Sequence, residues 1–189
     1  MPIDEILTII RKQLDPRVAW DEVLRLCKRD QPSKLWDSLP KVNLSGDIAA
    51  ARAWLNSNLT GVHAPTCVYL GLDTLNMNGG QGTNIEIGWK SLAIQQTSTD
   101  WAYDTLTRGT SHLMASLFVL QETYSRSQWE DEYSFADYLL FLAYSGLVIR
   151  EALTDFIARQ PMLFAWGFHD GDLFSLCRIK DNQVEMLCS

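Results

Sequence analysis

Thr66-Cys67-Val68-Tyr69-Leu70-Gly71-Leu72, then Asn78-Gly79-Gly80-Gln81-Gly82-Thr83-Asn84, then Asn84-Ile85-Glu86-Ile87-Gly88-Trp89 is the stretch on which the fold turns. The first part is β-branched and aromatic and reads as a buried strand. The second is the densest turn signal in the chain. The third alternates polar and apolar residues, the period of a strand with one covered face. Together they predict a β-hairpin with a glycine-rich tip.

Upstream of this hairpin the periodicity is helical. Ile3, Ile6, Leu7, Ile10 and Leu14 share a face and stop at Asp15-Pro16, a pair suited to open the next helix as N-cap and first helical residue. Trp20, Val23, Leu24 and Cys27 form that helix's stripe. A short turn is expected around Leu35, Trp36 and Leu39. A third helix, with Ser45 as the expected cap, carries Ile48, Ala51, Leu55 and Leu59 on one side and closes at Gly61.

Downstream, Ala102, Leu106, Leu113, Leu117, Leu120 and Tyr124 predict a long helix over about 100–124. A second long helix is expected from a Ser134 cap, and Phe135 to Ile157 is apolar on most sides, the mark of a central helix. Residues 162–168 then read as extended, Asp170-Gly171 as a two-residue hairpin turn, Leu173 to Ile179 as the returning strand, and Val184 to Cys188 as an edge strand. The expected class is α+β: one domain over 1–189, with a helical N-terminal region (1–61). Its body (62–189) is an antiparallel or mixed sheet, hairpin plus C-terminal meander, packed against two long helices.

With 189 residues the chain can bury a full core without a metal or disulfide. Its 47% hydrophobic and 21% charged residues place it among globular rather than disordered chains. The seven tryptophans, Trp20, Trp36, Trp54, Trp89, Trp101, Trp129 and Trp166, are spread along the chain and read as anchors of several packing layers. The most apolar stretch, Leu139 to Ile149, is too short to span a bilayer. The start, Met1-Pro2-Ile3-Asp4-Glu5, carries acids where a secretory leader needs bases. Cys27, Cys67, Cys177 and Cys188 form no C-x-x-C pair, which excludes finger-type zinc spacing and, with no leader, predicts reduced thiols in a cytoplasmic protein.

The charge is unevenly placed. Residues 1–60 hold nine Lys/Arg and eight Asp/Glu, whereas residues 61–189 hold seven Lys/Arg and fifteen Asp/Glu, a net charge of −8. An acidic body repels nucleic acid and anionic membranes and attracts a basic protein.

Chemistry-bearing motifs are few. The glycine-rich tip lacks the G-K-[ST] ending of a phosphate loop and leads into a strand rather than a helix. In Trp166-Gly167-Phe168-His169-Asp170-Gly171-Asp172, His169 and Asp172 flank the turn, where they are turn and cap residues or the start of an oriented general base. His63 precedes a strand near Cys67, and His112 is placed beside the stripe of the first long helix. Asp73 and Glu86 lie on the two hairpin strands as a candidate carboxylate pair, though nothing in the sequence sets their separation. No nucleophile elbow, H-E-x-x-H or kinase motif is present, and no cofactor or metal is expected. Glu130-Asp131-Glu132, between Trp129 and Tyr133, suits the start of the Ser134 helix and also makes an acidic, aromatic surface for an arginine- or lysine-rich partner.

In general character (compact, acidic, free of catalytic motifs, tryptophan-rich) the chain resembles the immunity proteins of bacterial contact-dependent systems. The resemblance is one of type and assigns no residue. It implies a non-catalytic domain that neutralises a basic toxin domain by binding it, with Trp129, Glu130, Asp131, Glu132 and Tyr133 as first contact residues. The alternative is a small enzyme or ligand-binding protein in which loops around His63, Asn78–Asn84 and His169 converge at one sheet end, with His169, Asp172 and His63 as working residues. Self-association through the N-terminal helices is a third expectation.

Overall fold

The computed structural model describes residues 3–39, 41–64, 66–77, 80–91, 99–103, 106–126, 136–169 and 171–187. Helix α1 runs Ile3–Arg11 and buries Ile6, Leu7, Ile9 and Ile10. Helix α2, Pro16–Asp30, starts as its sequence dictates: the Asp15 carboxylate accepts from the Arg17 and Val18 amides at 2.9 and 3.3 Å, and Pro16 occupies the first turn. A 3-10 turn follows at Lys34–Ser38. Helix α3, Leu44–Leu59, is capped by Asn43, whose side chain accepts from the Gly46 amide at 3.2 Å. Ser45 instead donates its hydroxyl to Asn43.

Strands β1 (Thr66–Met77) and β2 (Gly80–Ser91) pair antiparallel from Thr66↔Ser91 to Met77↔Gly80. The glycine-rich segment from Gly80 onward therefore belongs to the strand ladder, and residues 78 and 79 lie outside the described residues. The expected helix over 100–124 is a correction. Residues 100–103 make a 3-10 turn, Thr107–Arg108 (β3) and His112–Leu113 (β4) pair with β2, and the helix (α4) spans only Ala115–Arg126. Helix α5, Ala136–Thr154, then leads to β5 (Met162–Phe168), β6 (Leu173–Lys180) and β7 (Gln183–Met186). The Ser134 cap falls outside the described residues.

The sheet order is β3-β2-β1-β5-β6-β7, with β4 also on β2. All pairs are antiparallel except β1 and β5, which run parallel from Thr66↔Met162 to Leu72↔Phe168. Two antiparallel units are thus joined side by side, with α4 and α5 in the connection between them. The class is α+β, with a mixed sheet.

Alternation along the strands sorts side chains to two faces. Val68, Leu70, Leu72, Ile85, Ile87, Phe164 and Trp166 join the helices in the main core, which is continuous from Ile6 in α1 to Ile179 in β6. Cys67, Tyr69, Leu163 and Ala165 point to the other face, where Trp101 covers them. Helix α5 is central: it contacts α1, α2, α3 and α4 as well as β5 and β6, and its segment from Leu139 to Ile149 is wholly buried. Trp20, Trp36, Trp54, Trp101 and Trp166 are buried and Trp89 is half-buried, so these six act as packing anchors. Trp129 lies outside the described residues.

Two buried polar groups tie the layers together. The Asp47 carboxylate accepts the Tyr144 hydroxyl at 2.7 Å and the Ser116 amide at 3.2 Å, so α3 caps the first turn of α4. The Arg150 guanidinium of α5 donates to the carbonyls of Ile10 and Leu14, at 3.0 and 2.6 Å, where α1 ends. Among the described residues no helix is long and apolar enough to cross a membrane.

Candidate functional site

Helix α3 ends by turning its chain toward the sheet. Thr60 donates both its amide and its hydroxyl to the Asn56 carbonyl, and the Val62 amide donates to Leu59 at 3.1 Å. His63 follows, exposed, three residues before β1 begins at Thr66. Because Thr66 pairs with Ser91, the end of β2 is brought beside this turn. The result is a cleft of about 390 Å³ whose lining includes Asn58, His63, Trp89, Lys90, Ser91 and Thr107.

One wall of the cleft is fixed by hydrogen bonds. Asn58 accepts the Thr110 amide at 2.9 Å and donates to the Thr110 hydroxyl at 3.2 Å, while Trp54 donates its indole N–H to the Thr110 carbonyl at 2.6 Å. Gly109 makes this approach possible, since a Cβ there would lie 2.2 Å from the Asn58 Oδ1. No carboxylate lines the cleft among the described residues. A second cleft of about 220 Å³ shares Val62 and is edged by Phe156, Ile157 and Arg159. Asn58 carried no sequence signal, because only the α3 turn and its bonds to Thr110 give it a place in the cleft wall.

His169 lies at the other end of β1. Its amide donates to the Leu72 carbonyl at 2.9 Å, and its Nδ1 lies 3.2 Å from the Tyr69 hydroxyl. His63 precedes Thr66 and His169 sits level with Asp73, so at ~3.3 Å per strand residue the two are more than about 20 Å apart along the sheet. The single cleft expected from the His63, Asn78–Asn84 and His169 loops is therefore not formed by the two histidines. Asn84 is buried in β2, opposite Asp73.

Asp172 does not orient His169. It accepts the Tyr138 hydroxyl at 2.9 Å on the helical side, where Tyr138 stacks on Phe168 with ring centres 4.4 Å apart. Burial, reinforced by Asp172, pushes the Tyr138 phenol above its ordinary pKa. His169 bonds to Tyr69, whose cluster lies on the opposite face.

The remaining candidates also find structural partners. Glu86 is held by Arg108 at 2.6 Å rather than by Asp73. Cys67 is buried within the sheet, and burial pushes its thiol up to about 11, unsuited to a nucleophile paired with exposed His63. His112 is on strand β4, not on a helix, and stacks on Trp54. Among the described residues no group of His, Cys, Asp and Glu side chains is arranged to hold a metal ion. The acidic and aromatic run Trp129, Glu130, Asp131, Glu132 and Tyr133 lies outside the described residues. Compared with family models, curated proteins and solved structures, the chain matches none.

Proposed function

We propose that this chain is a non-catalytic, acidic protein-binding domain that acts in the cytoplasm and neutralises a basic toxin domain. The observation that carries this reading is the charge division: residues 61–189 bear fifteen Asp/Glu against seven Lys/Arg. Two of those seven are already committed. Arg150 is buried against the α1 carbonyls and Arg108 is held by Glu86. An approaching cationic surface therefore meets a predominantly negative field, which speeds encounter and disfavours nucleic acid. The three described cysteines are free and buried, in keeping with a reducing compartment.

The test is capture of the tagged chain from its host at low salt, followed by reconstitution with the purified partner. One stoichiometric basic protein is expected, with affinity falling as salt rises and with its toxicity suppressed on co-expression. Reversing Glu130, Asp131 and Glu132 together to lysine should slow association by about tenfold or more. Salt-insensitive binding, an acidic partner, or a chain that emerges alone would overturn the reading.

A further inference from the structure

We propose that β7 pairs edge to edge with β7 of a second copy of this chain, antiparallel and with Val184 opposite Val184, so that one sheet runs through both copies. This inference stands apart from the protein-binding reading, and it places self-association on the sheet rather than on the N-terminal helices. The sheet has two ends. At one, β3 and β4 are two residues each, and between them the Thr110 amide and carbonyl are taken by Asn58 and Trp54. That edge is broken and tied to α3. At the other, β7 follows β6 without a register shift and contains no lysine or proline, residues that commonly guard an edge.

The turn sets which β7 groups face outward. Asp181 and Asn182 both have positive φ, 51° and 59°, the mark of a two-residue type I′ hairpin closed by Lys180 and Gln183. From that pair the ladder alternates, and in the same phase the Leu187 amide donates to the Leu176 carbonyl at 3.0 Å. Gln183, Glu185 and Leu187 therefore bond inward to β6, and the N–H and C=O groups of Val184 and Met186 point out from the edge. Their side chains lie half-buried at the rim of the main core, whereas Gln183 and Glu185 are exposed.

Side-chain chemistry selects the register and, with it, the occupant. A two-fold axis at Glu185 sets two carboxylates directly opposite, which is destabilising. An axis at Val184 instead aligns each Glu185 with the Gln183 amide of the second copy and leaves no like charges opposite. Among the described residues Glu185 makes no ion pair, although Arg178 lies level with it on β6, so its carboxylate is available to that amide. Two such short strands bury less than a standard interface, so the contact is weak. Each copy carries a net charge of −7, so added salt screens their repulsion and strengthens the contact, the reverse of the salt effect on a basic partner.

The experiment is sedimentation of the full chain at low and high salt, at concentrations up to about 1 mM. A reversible monomer–dimer equilibrium is expected, with a Kd on the order of 0.1–1 mM that tightens in high salt. Val184→Pro removes an outward N–H and no bond to β6, so the chain should stay folded and become monomeric. Gln183→Lys should tighten the dimer severalfold, up to about tenfold, through two new ion pairs with Glu185. Combining Gln183→Lys with Glu185→Lys sets lysines opposite and should loosen the dimer below the parent, although that chain carries less net negative charge. If Val184→Pro does not fold, the two lysine variants decide. The proposal is overturned by a monomer at every concentration, by a folded Val184→Pro that dimerises like the parent, or by a doubly substituted chain that dimerises as well as Gln183→Lys.

Discussion

The imidazole of His112 lies against the indole of Trp54, with ring centres 5.2 Å apart and planes 23° apart. Strand β4 delivers the imidazole, and α3 delivers the indole. The Trp54 N–H bonds to Thr110, so the stack fastens the β3–β4 segment to the helical layer.

That contact has a pH signature. The His112 Nε2 is buried without a hydrogen-bond partner, and burial lowers its pKa below the ordinary value, with Asp47 pulling the other way. A histidine whose folded pKa lies below its unfolded value of about 6.5 contributes stability that is complete above that value. This stability is lost as pH falls toward the folded pKa. Urea unfolding at a series of pH values should show stability declining below about pH 6.5. His112→Phe keeps a ring on Trp54 and removes the titration, so its curve should be flatter by up to about 1.4 kcal/mol per pH unit. Parallel curves for the two proteins would refute this assignment.

Arg150 is 3% exposed and serves the backbone at the end of α1. Arg150→Met strips that donor from the Ile10 and Leu14 carbonyls, and a loss of about 2–4 kcal/mol is expected in urea unfolding. Arg150→Lys should recover less than half of this, because a single ammonium does not reproduce the fork that reaches two carbonyls. Amide exchange in α1 should accelerate in both variants. Unchanged exchange there would mean that the guanidinium does not hold the helix.

The thiols make a third case. Cys27, Cys67 and Cys177 are buried and free, and burial pushes Cys27 up to about 12, Cys67 to about 11, and Cys177 up as well. Thiolate is the reacting species, so at pH 8 the Cys67 thiolate population is about a hundredfold below that of an exposed cysteine. An aromatic disulfide reagent should therefore reach these three only as fast as the chain opens, and all four cysteines at once in denaturant. Rapid reaction of more than one thiol in the native protein would contradict the burial.

Local chemistry was legible wherever one residue pair suffices to set the backbone. Asp15-Pro16 opened α2, the alternation in 84–89 placed Ile85 and Ile87 in the core, and the turn signal at 170–171 separated β5 from β6. The segment 100–124 misled because its apolar spacing imitates one helical face. In the fold those side chains serve opposite sides of the sheet: Trp101, Ala102 and Leu106 pack with Tyr69, whereas Leu117 and Leu120 enter the main core. No single helix can do both, and Thr107 to Ser111, with Gly109 tight against Asn58 and Ile87, breaks the run. The cleft was half-visible. His63 stood out, but Asn58 acquires meaning only from the α3 turn and from the loop that it holds.

Gly146 shows packing reversing a local preference. Within an exposed helix, replacing glycine by alanine gains about 1 kcal/mol. At position 146 of α5 a Cβ would lie 2.8 Å from the Trp166 ring and 2.9 Å from Ile10 Cδ1. Both neighbours are fully buried, and Trp166 is further held by its indole N–H bond to the Leu142 carbonyl at 3.4 Å. The Ile10 tip can rotate aside, but the Trp166 ring, met at both Cζ2 and Cε2, cannot yield without moving β5. Gly146→Ala should therefore destabilise, by about 1–3 kcal/mol, as overpacking of a filled core does. Gly61→Ala is the control, since nothing lies within 4 Å of a Cβ there; a neutral or slightly positive change, up to about 1 kcal/mol, is expected. Urea unfolding of the two variants side by side decides the matter: a stabilised Gly146→Ala would show that α5, α1 and β5 do not meet as closely at this glycine as the structure places them.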